Sequence, residues 1–159
     1  MPNHSFSIRI ATDSDGPGIL ACLAAAFEEY RGGYTPEAFL DTVLTPDTIA
    51  RRLKEMVIFV ATNDSGGVLG TIACGILSFR EGHLRGMAVL PALRGTGLAD
   101  QLLAHAESHL LQKGCVRISL DTTAPLQRAI RFYERFGFRA SGKIQDFFGM
   151  PLFEYIKQL

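Results

Sequence analysis

Apolar residues recur along the chain with two periods, and the switches between those periods divide it into elements. The β-branched and apolar positions of "FSIRIAT" (6–12) predict a first strand, after which Ile19, Leu23, Ala26 or Phe27, and Tyr30 return at helical spacing. That helix is expected to start at "DSDGPG", with an Asp N-cap and a proline near its first position, and to end near Arg31, ahead of Gly32 and Gly33. Thr35-Pro36 and Thr45-Pro46 are two further cap-plus-proline starts, the second followed by Ile49, Leu53 and Met56 on one stripe. "VIFVAT", the turn "NDSGG" and "VLGTIACGILSF" read as a hairpin, with Gly70 and Gly75 marking a bulge or a close backbone approach.

After Glu81-Gly82, "HLRGMAVLP" is a short strand stopped by Pro91, and Leu98, Leu102, Ala106 and Leu110 then share one helical face up to Gly114. Val116, Ile118 and Leu120 alternate with Arg117, Ser119 and Asp121, a strand with two unlike faces. Pro125 opens a helix with Ala129, Phe132, Tyr133 and Phe136 inward, closed by Gly137, and "FRASGKIQ" and "LFEYIKQ" supply two last strands. This order predicts a single α/β (α+β) domain over residues 1–159, with a mixed sheet of about seven strands flanked by four helices.

Composition narrows the function classes. The 16 basic residues are cancelled by 16 acidic ones, so no global field draws the protein to nucleic acid or to an anionic membrane surface. Cys22, Cys74 and Cys115 are an odd number of thiols in apolar stretches, without the close pairing a zinc site needs, and read as free and buried in a reducing compartment. "MPNHSFSIRI" lacks a basic region followed by an apolar one, and "ILACLAAAF" is too short to span a bilayer. The expected setting is cytoplasmic, without a membrane.

Chemistry is concentrated in "LPALRGTGLADQLL" (90–103). A strand end, a glycine turn over Arg94–Gly97 and a helix from Leu98 expose unpaired N–H groups at a helix N-terminus, where an anion is stabilised. Gly95 and Gly97 lack the Cβ atoms that would hold a phosphate off the backbone, and Arg94 adds a charge-assisted bond. The spacing matches neither the P-loop nor the three-glycine dinucleotide pattern, and an ordinary glycine-rich connection remains the alternative. His105 and His109 stand four apart on a helix, but Glu107 is one residue late for the zinc-protease pattern, so they are read as solvent-facing and no metal is expected. Glu28 and Glu29 are expected on solvated surface or holding a cationic amine. Residues 144–151, "IQDFFGMP", either line an acceptor pocket or form a homodimer contact.

Taken together, "MAVLPALRGTGLADQLL" and "RAIRFYERFGF" resemble the GNAT superfamily of acyl-CoA-dependent N-acetyltransferases. The family's pyrophosphate signature, Gln or Arg, two residues, Gly, one residue, Gly or Ala, is met by Arg94, Gly97 and Ala99. The resemblance extends in element order from Ile8 to about Ile156, and its specific content lies in residues 87–99 and 129–138.

The resemblance implies a mostly antiparallel sheet with a splayed strand pair that holds acetyl-CoA. It implies cofactor contacts from Met87, Ala88, Val89, Arg94, Gly95, Thr96, Gly97, Leu98 and Ala99, and places Tyr133 where many members keep the acid that protonates the departing thiolate. A phenol of ordinary pKa about 10 suits that task. Two departures stand out. Where the family often has an asparagine bonding the pantetheine, this chain has Leu126, so that bond is either lost or supplied by Thr122 or Thr123. Where many members carry a carboxylate in the strand before the loop, this chain has Arg85 and Gly86. Base candidates are then Glu28, Asp121 and, more weakly, His83, with proton loss through water as the expected route. The implied reaction is acetyl transfer to an amine-bearing acceptor, a small molecule or a protein N-terminus or lysine, by direct attack, because neither motif holds a cysteine. A non-catalytic acyl-CoA-binding module is the alternative.

Overall fold

Val57–Thr62 (β2) is apolar at nearly every position, and the computed structural model, which describes residues 5–159, places it inside the sheet with both faces covered. Ile58 and Val60 pack under the N-terminal helices while Phe59 and Ala61 turn to the opposite side, the alternation a pleated strand imposes. Residues 1–4, part of the segment searched for a leader, lie outside the described residues.

The sheet has seven strands. Ser7–Ile10 (β1), β2, Val68–Ser78 (β3) and Glu81–Val89 (β4) are antiparallel neighbours in sequence order. Arg117–Thr122 (β5) joins β4 in parallel, and Met150–Gln158 (β7) then separates β5 from Arg139–Phe147 (β6). The spatial order is β1-β2-β3-β4-β5-β7-β6.

Five α-helices flank the sheet, one more than expected, because each cap-plus-proline signal begins its own helix. Gly16–Phe27 (α1), Pro36–Val43 (α2) and Pro46–Glu55 (α3) precede β2; Leu98–Gln112 (α4) follows β4 and Gln127–Arg135 (α5) follows β5. Thr35 and Thr45 accept the amides of Ala38 and Thr48 as N-caps. The first helix stops earlier than its apolar spacing suggests, at Phe27, and tightens into a 3-10 turn over Glu28–Gly33. The Asp15 side chain does not cap it. Its carboxylate accepts two bonds from Arg9, at 2.7 and 2.8 Å, and one from the Thr12 amide.

The apolar stripe of α4 is fully buried: Leu98, Leu102, Ala106 and Leu110 pack on one face of the sheet with Phe59, Ile72 and Leu84. Gly70 permits that approach, since a Cβ there would stand 2.9 Å from Leu102 Cδ1 and 3.1 Å from the Ala88 carbonyl. On the other face α1, α2 and α3 cover Ile58, Val60, Ala73 and Ala88. The three cysteines are free and buried.

Candidate active site

The ladder between β4 and β5 runs only from Glu81–Arg117 to Leu84–Leu120. Beyond it both strands continue, β4 to Val89 and β5 to Thr122, without pairing to each other, so a gap opens in the sheet. β4 is also bulged there: Thr71 and Ala73 of β3 face Ala88 and Arg85, so that Gly86 and Met87 of β4 lie opposite Ile72 alone, with Gly86 at φ +59°. The extra residue leaves ladder groups unpaired and turns Arg85 and Ala88 to the same face.

A cavity of about 690 Å³, within the range of ligand sites, occupies this gap and extends to both of its ends. At one end lies the turn. Gly95 and Gly97 take left-handed φ of 79° and 85°, and Gly97 caps α4, so the first amides of the helix have no intrahelical acceptor. Gly95, Gly97, Ala99 and Arg94 line the cavity. Arg94 donates to Glu29, whose carboxylate also lies 3.9 Å from Arg128. Glu29 is therefore a neutralising partner of the turn, which its place at the end of a helix did not signal. Thr96 donates its hydroxyl to the Leu93 carbonyl, and the Leu98 side chain is in the core. Neither side chain lines the cavity.

Met87, Ala88 and Val89 form one wall, and Thr122 and Ala129 line the cavity as well. The Thr122 hydroxyl is buried without a hydrogen-bond partner, while Thr123 is already joined to Tyr34 at 2.6 Å. An orphaned buried hydroxyl facing a cavity is an unfilled bonding position. Tyr133 is buried, packs edge-on against Phe132 and Phe138, and reaches the cavity wall, and burial pushes its phenol pKa well up. Phe132 also lines the cavity, which explains why the inward face of α5 is only half-buried.

Of the polar face of β5, Asp121 lines the cavity. Ser119 is fully buried, with Oγ 2.9 Å from His83 Nδ1, and Asp121 Oδ2 stands 3.8 Å from His83 Nε2. Burial pulls the His83 pKa below its ordinary value against the opposing pull of Asp121. Glu28, by contrast, is exposed, paired to Arg31 at 2.9 Å and outside the cavity lining. The β6–β7 hairpin lends Phe147 and Leu152 to the lining, and the Phe148 carbonyl accepts from Thr35, tying the hairpin to the start of α2. Among the described residues His105 and His109 join no cluster of ligating groups; they lie against the ring of Phe59, 5.7 and 6.0 Å between centroids.

The family model described as "Acetyltransferase (GNAT) family" matches residues 20–138. The chain belongs to the GNAT acetyltransferase family. An acetyltransferase of Agrobacterium fabrum is 34% identical over 94 residues, 57% of this chain and 64% of that one. The N-alpha-acetyltransferase MAK3 of Arabidopsis thaliana is 27% identical over 93 residues, 55% of this chain and 49% of that one. These alignments thus span about half to under two thirds of the relatives' length. The crystal structure of the PaiA N-acetyltransferase from Thermoplasma acidophilum in complex with coenzyme A superposes with a TM-score of 0.79 at 20% identity, covering 98% of this chain and 99% of that one. The seven-stranded, mostly antiparallel sheet and its helices are those of GNAT structures.

Within this GNAT fold the sequence motifs fall at the cavity: the glycine turn at one end and Tyr133 on its wall. Two groups escaped the sequence reading. Arg52, on α3, and Asp41, on α2, also line the cavity, brought there by the pair of short helices that precede β2. The only early signal was the run of two prolines, each starting a helix too short to cross the sheet face.

Proposed function

We propose that this chain acts as a single acetyltransferase domain that moves an acetyl group from acetyl-CoA to a primary amine, by direct attack within a ternary complex. The observation that carries this reading is the convergence on one cavity of the Gly97 helix start, the β4–β5 gap and the buried Tyr133 phenol. Backbone amides from Gly95 to Ala99, with Arg94, would hold the pyrophosphate. The gap would hold the pantetheine arm against Met87, Ala88 and Val89, and the Thr122 hydroxyl has a free bonding position where this chain carries Leu126 instead of asparagine.

The chemistry needs a carbon–nitrogen bond to form, a carbon–sulfur bond to break and two protons to be managed. A backbone amide at the Gly86 bulge, where the ladder is interrupted, would be suited to the oxyanion of the tetrahedral intermediate. Tyr133, held protonated by burial, gives its proton to the leaving thiolate. His83 is neutral at pH 7 and takes the proton that the attacking nitrogen loses, while Asp121 attracts the ammonium to that position. Relative to the water route expected from sequence, the burial of His83 favours this group. No cysteine lines the cavity among the described residues, so an acyl-enzyme has no thiol to form on.

The test is acetyl-CoA with a panel of small amines and of peptides bearing a free N-terminus or lysine, following thiol release together with product mass. Acetylated amine and free CoA in equal amounts are expected. Tight acetyl-CoA binding with no transfer to any amine would return the protein to a binding module.

A further inference from the structure

The acceptor end of the cavity holds two arginines that the reaction above does not use. Arg52 reaches in from α3, and its Nη1 lies 2.9 Å from the point where a Cβ on Gly86 would stand, so the guanidinium rests against the bulge itself. Arg85, the residue before that glycine, sits on the same face, close enough to Arg52 for each charge to be felt by the other.

Arg9, Arg31, Arg94 and Arg117 are paired with Asp15, Glu28, Glu29 and Glu81, and the other arginines without an ion pair, Arg51, Arg80, Arg131, Arg135 and Arg139, stand exposed. Arg52 and Arg85 enter no ion pair or side-chain hydrogen bond among the described residues, although Arg52 is half-buried. Burial and the neighbouring Arg85 draw the Arg52 pKa down to about 10, and Asp41 only partly offsets them. Two like charges held together at a cavity wall without an anion are a site built for one.

We propose that Arg52 and Arg85 read a carboxylate on the acceptor, so that the preferred substrate class is an amine carrying a carboxylate. This rests on the acetyl-transfer reading for its reaction but not for its binding. Two guanidinium groups beside the single charge of Asp41 leave a net charge of one to be matched, which suits a monoanionic carboxylate better than a dianionic phosphate. The other acidic group at this end, Asp121 beside His83, offers the ammonium a separate position, so the two ends of such a substrate meet opposite charges. The carboxylate can come from a free amino acid or from an acidic side chain near a peptide's amino terminus.

The probes are glycine, β-alanine and γ-aminobutyrate against their carboxamides, and the peptide amide Ala-Glu-Ala against Ala-Gln-Ala. Binding to the CoA-loaded protein is measured by calorimetry, and turnover is expressed per unprotonated amine. In at least one pair the carboxylate should be favoured by about 30-fold, the scale of a charge-assisted pair. Arg85→Gln and Arg52→Met should reduce that ratio below about threefold, with Arg52→Lys recovering part of it. A preference among the free amino acids assigns the carboxylate to the small acceptor, and one in the peptides assigns it to a side chain. The Arg85 side chain is exposed, so its variant decides the matter if Arg52→Met does not fold. Equal binding of every pair, no binding of any probe, or a preference that survives Arg85→Gln overturns the inference. Carboxylate-selective binding without acetyl transfer supports it and overturns the proposed reaction instead.

Discussion

His83 and Ser119 face each other across the one parallel pairing of the sheet and are joined by a 2.9 Å hydrogen bond between Nδ1 and Oγ. The bond fixes the ring and leaves Nε2 on the side of Asp121. A histidine whose pKa is lowered by burial stays neutral until the pH falls below its ordinary value of 6.5. The kcat/KM profile should therefore have an acidic limb below pH 6.5, rising to a plateau as His83 loses its proton. His83→Gln should remove that limb and cost about 10²-fold on the plateau. A pH profile on a chemistry-limited amine checks this; an unchanged limb would return the proton to solvent.

Tyr133→Phe should lower kcat by about 10²-fold while leaving acetyl-CoA affinity within a factor of about two, because only the hydroxyl is lost from a ring already packed against Phe132 and Phe138. Stopped-flow rates and calorimetry on the same preparation separate the two effects. Equal losses in both would make the ring a packing residue only.

Gly97→Glu places a carboxylate and a side chain at a left-handed position of φ 85° on the helix start, so acetyl-CoA binding should weaken at least about 10²-fold. Arg94→Ala should cost less, about tenfold, since the amides remain and Glu29 already shares its charge. Titration calorimetry on the folded variants gives both numbers.

Asp15 provides a pH test of stability. Its carboxyl is held down to about 2 by the Arg9 guanidinium, against an ordinary value of 3.8 for an unpaired group, so the pair is fully formed above about pH 4. Its contribution is lost as pH falls through that window toward 2. Because Arg9 is half-exposed, Asp15→Asn should cost only about 1–2 kcal/mol at pH 7 and far less at pH 2. Denaturant unfolding at the two pH values measures the difference.

Much of this architecture was legible because local chemistry and tertiary packing agree. The stripe of Leu98, Leu102, Ala106 and Leu110, the caps at Thr35 and Thr45 and the glycine turn at Gly95–Gly97 each speak for themselves over a few residues. Where sequence misled, the deciding partner lay outside the element being read. Asp15 looked like a cap, but Arg9 claims it; Glu29 looked solvated, but Arg94 lies 65 residues on. His83 and Asp121 were separate candidates until the parallel pairing put Ser119 and Asp121 beside that histidine. Arg52 was signalled only by the proline that starts its helix, since it takes the folding of α3 beside the β4 bulge to reveal what it faces.

The short β4–β5 ladder also governs mechanics. Strands β1 to β4 and strands β5, β7 and β6 are two half-sheets, and four residue pairs, extended by the bond from the Val116 amide to the Arg80 carbonyl, make the backbone seam between them. A guest carrying amide groups, laid along the open part of that seam, acts as a stitch that turns two hinged panels into one continuous weave. Occupancy of the gap then stiffens the seam beside it, and slower amide exchange at Leu84 and Leu120, the last pair of the closed ladder, is the trace it leaves.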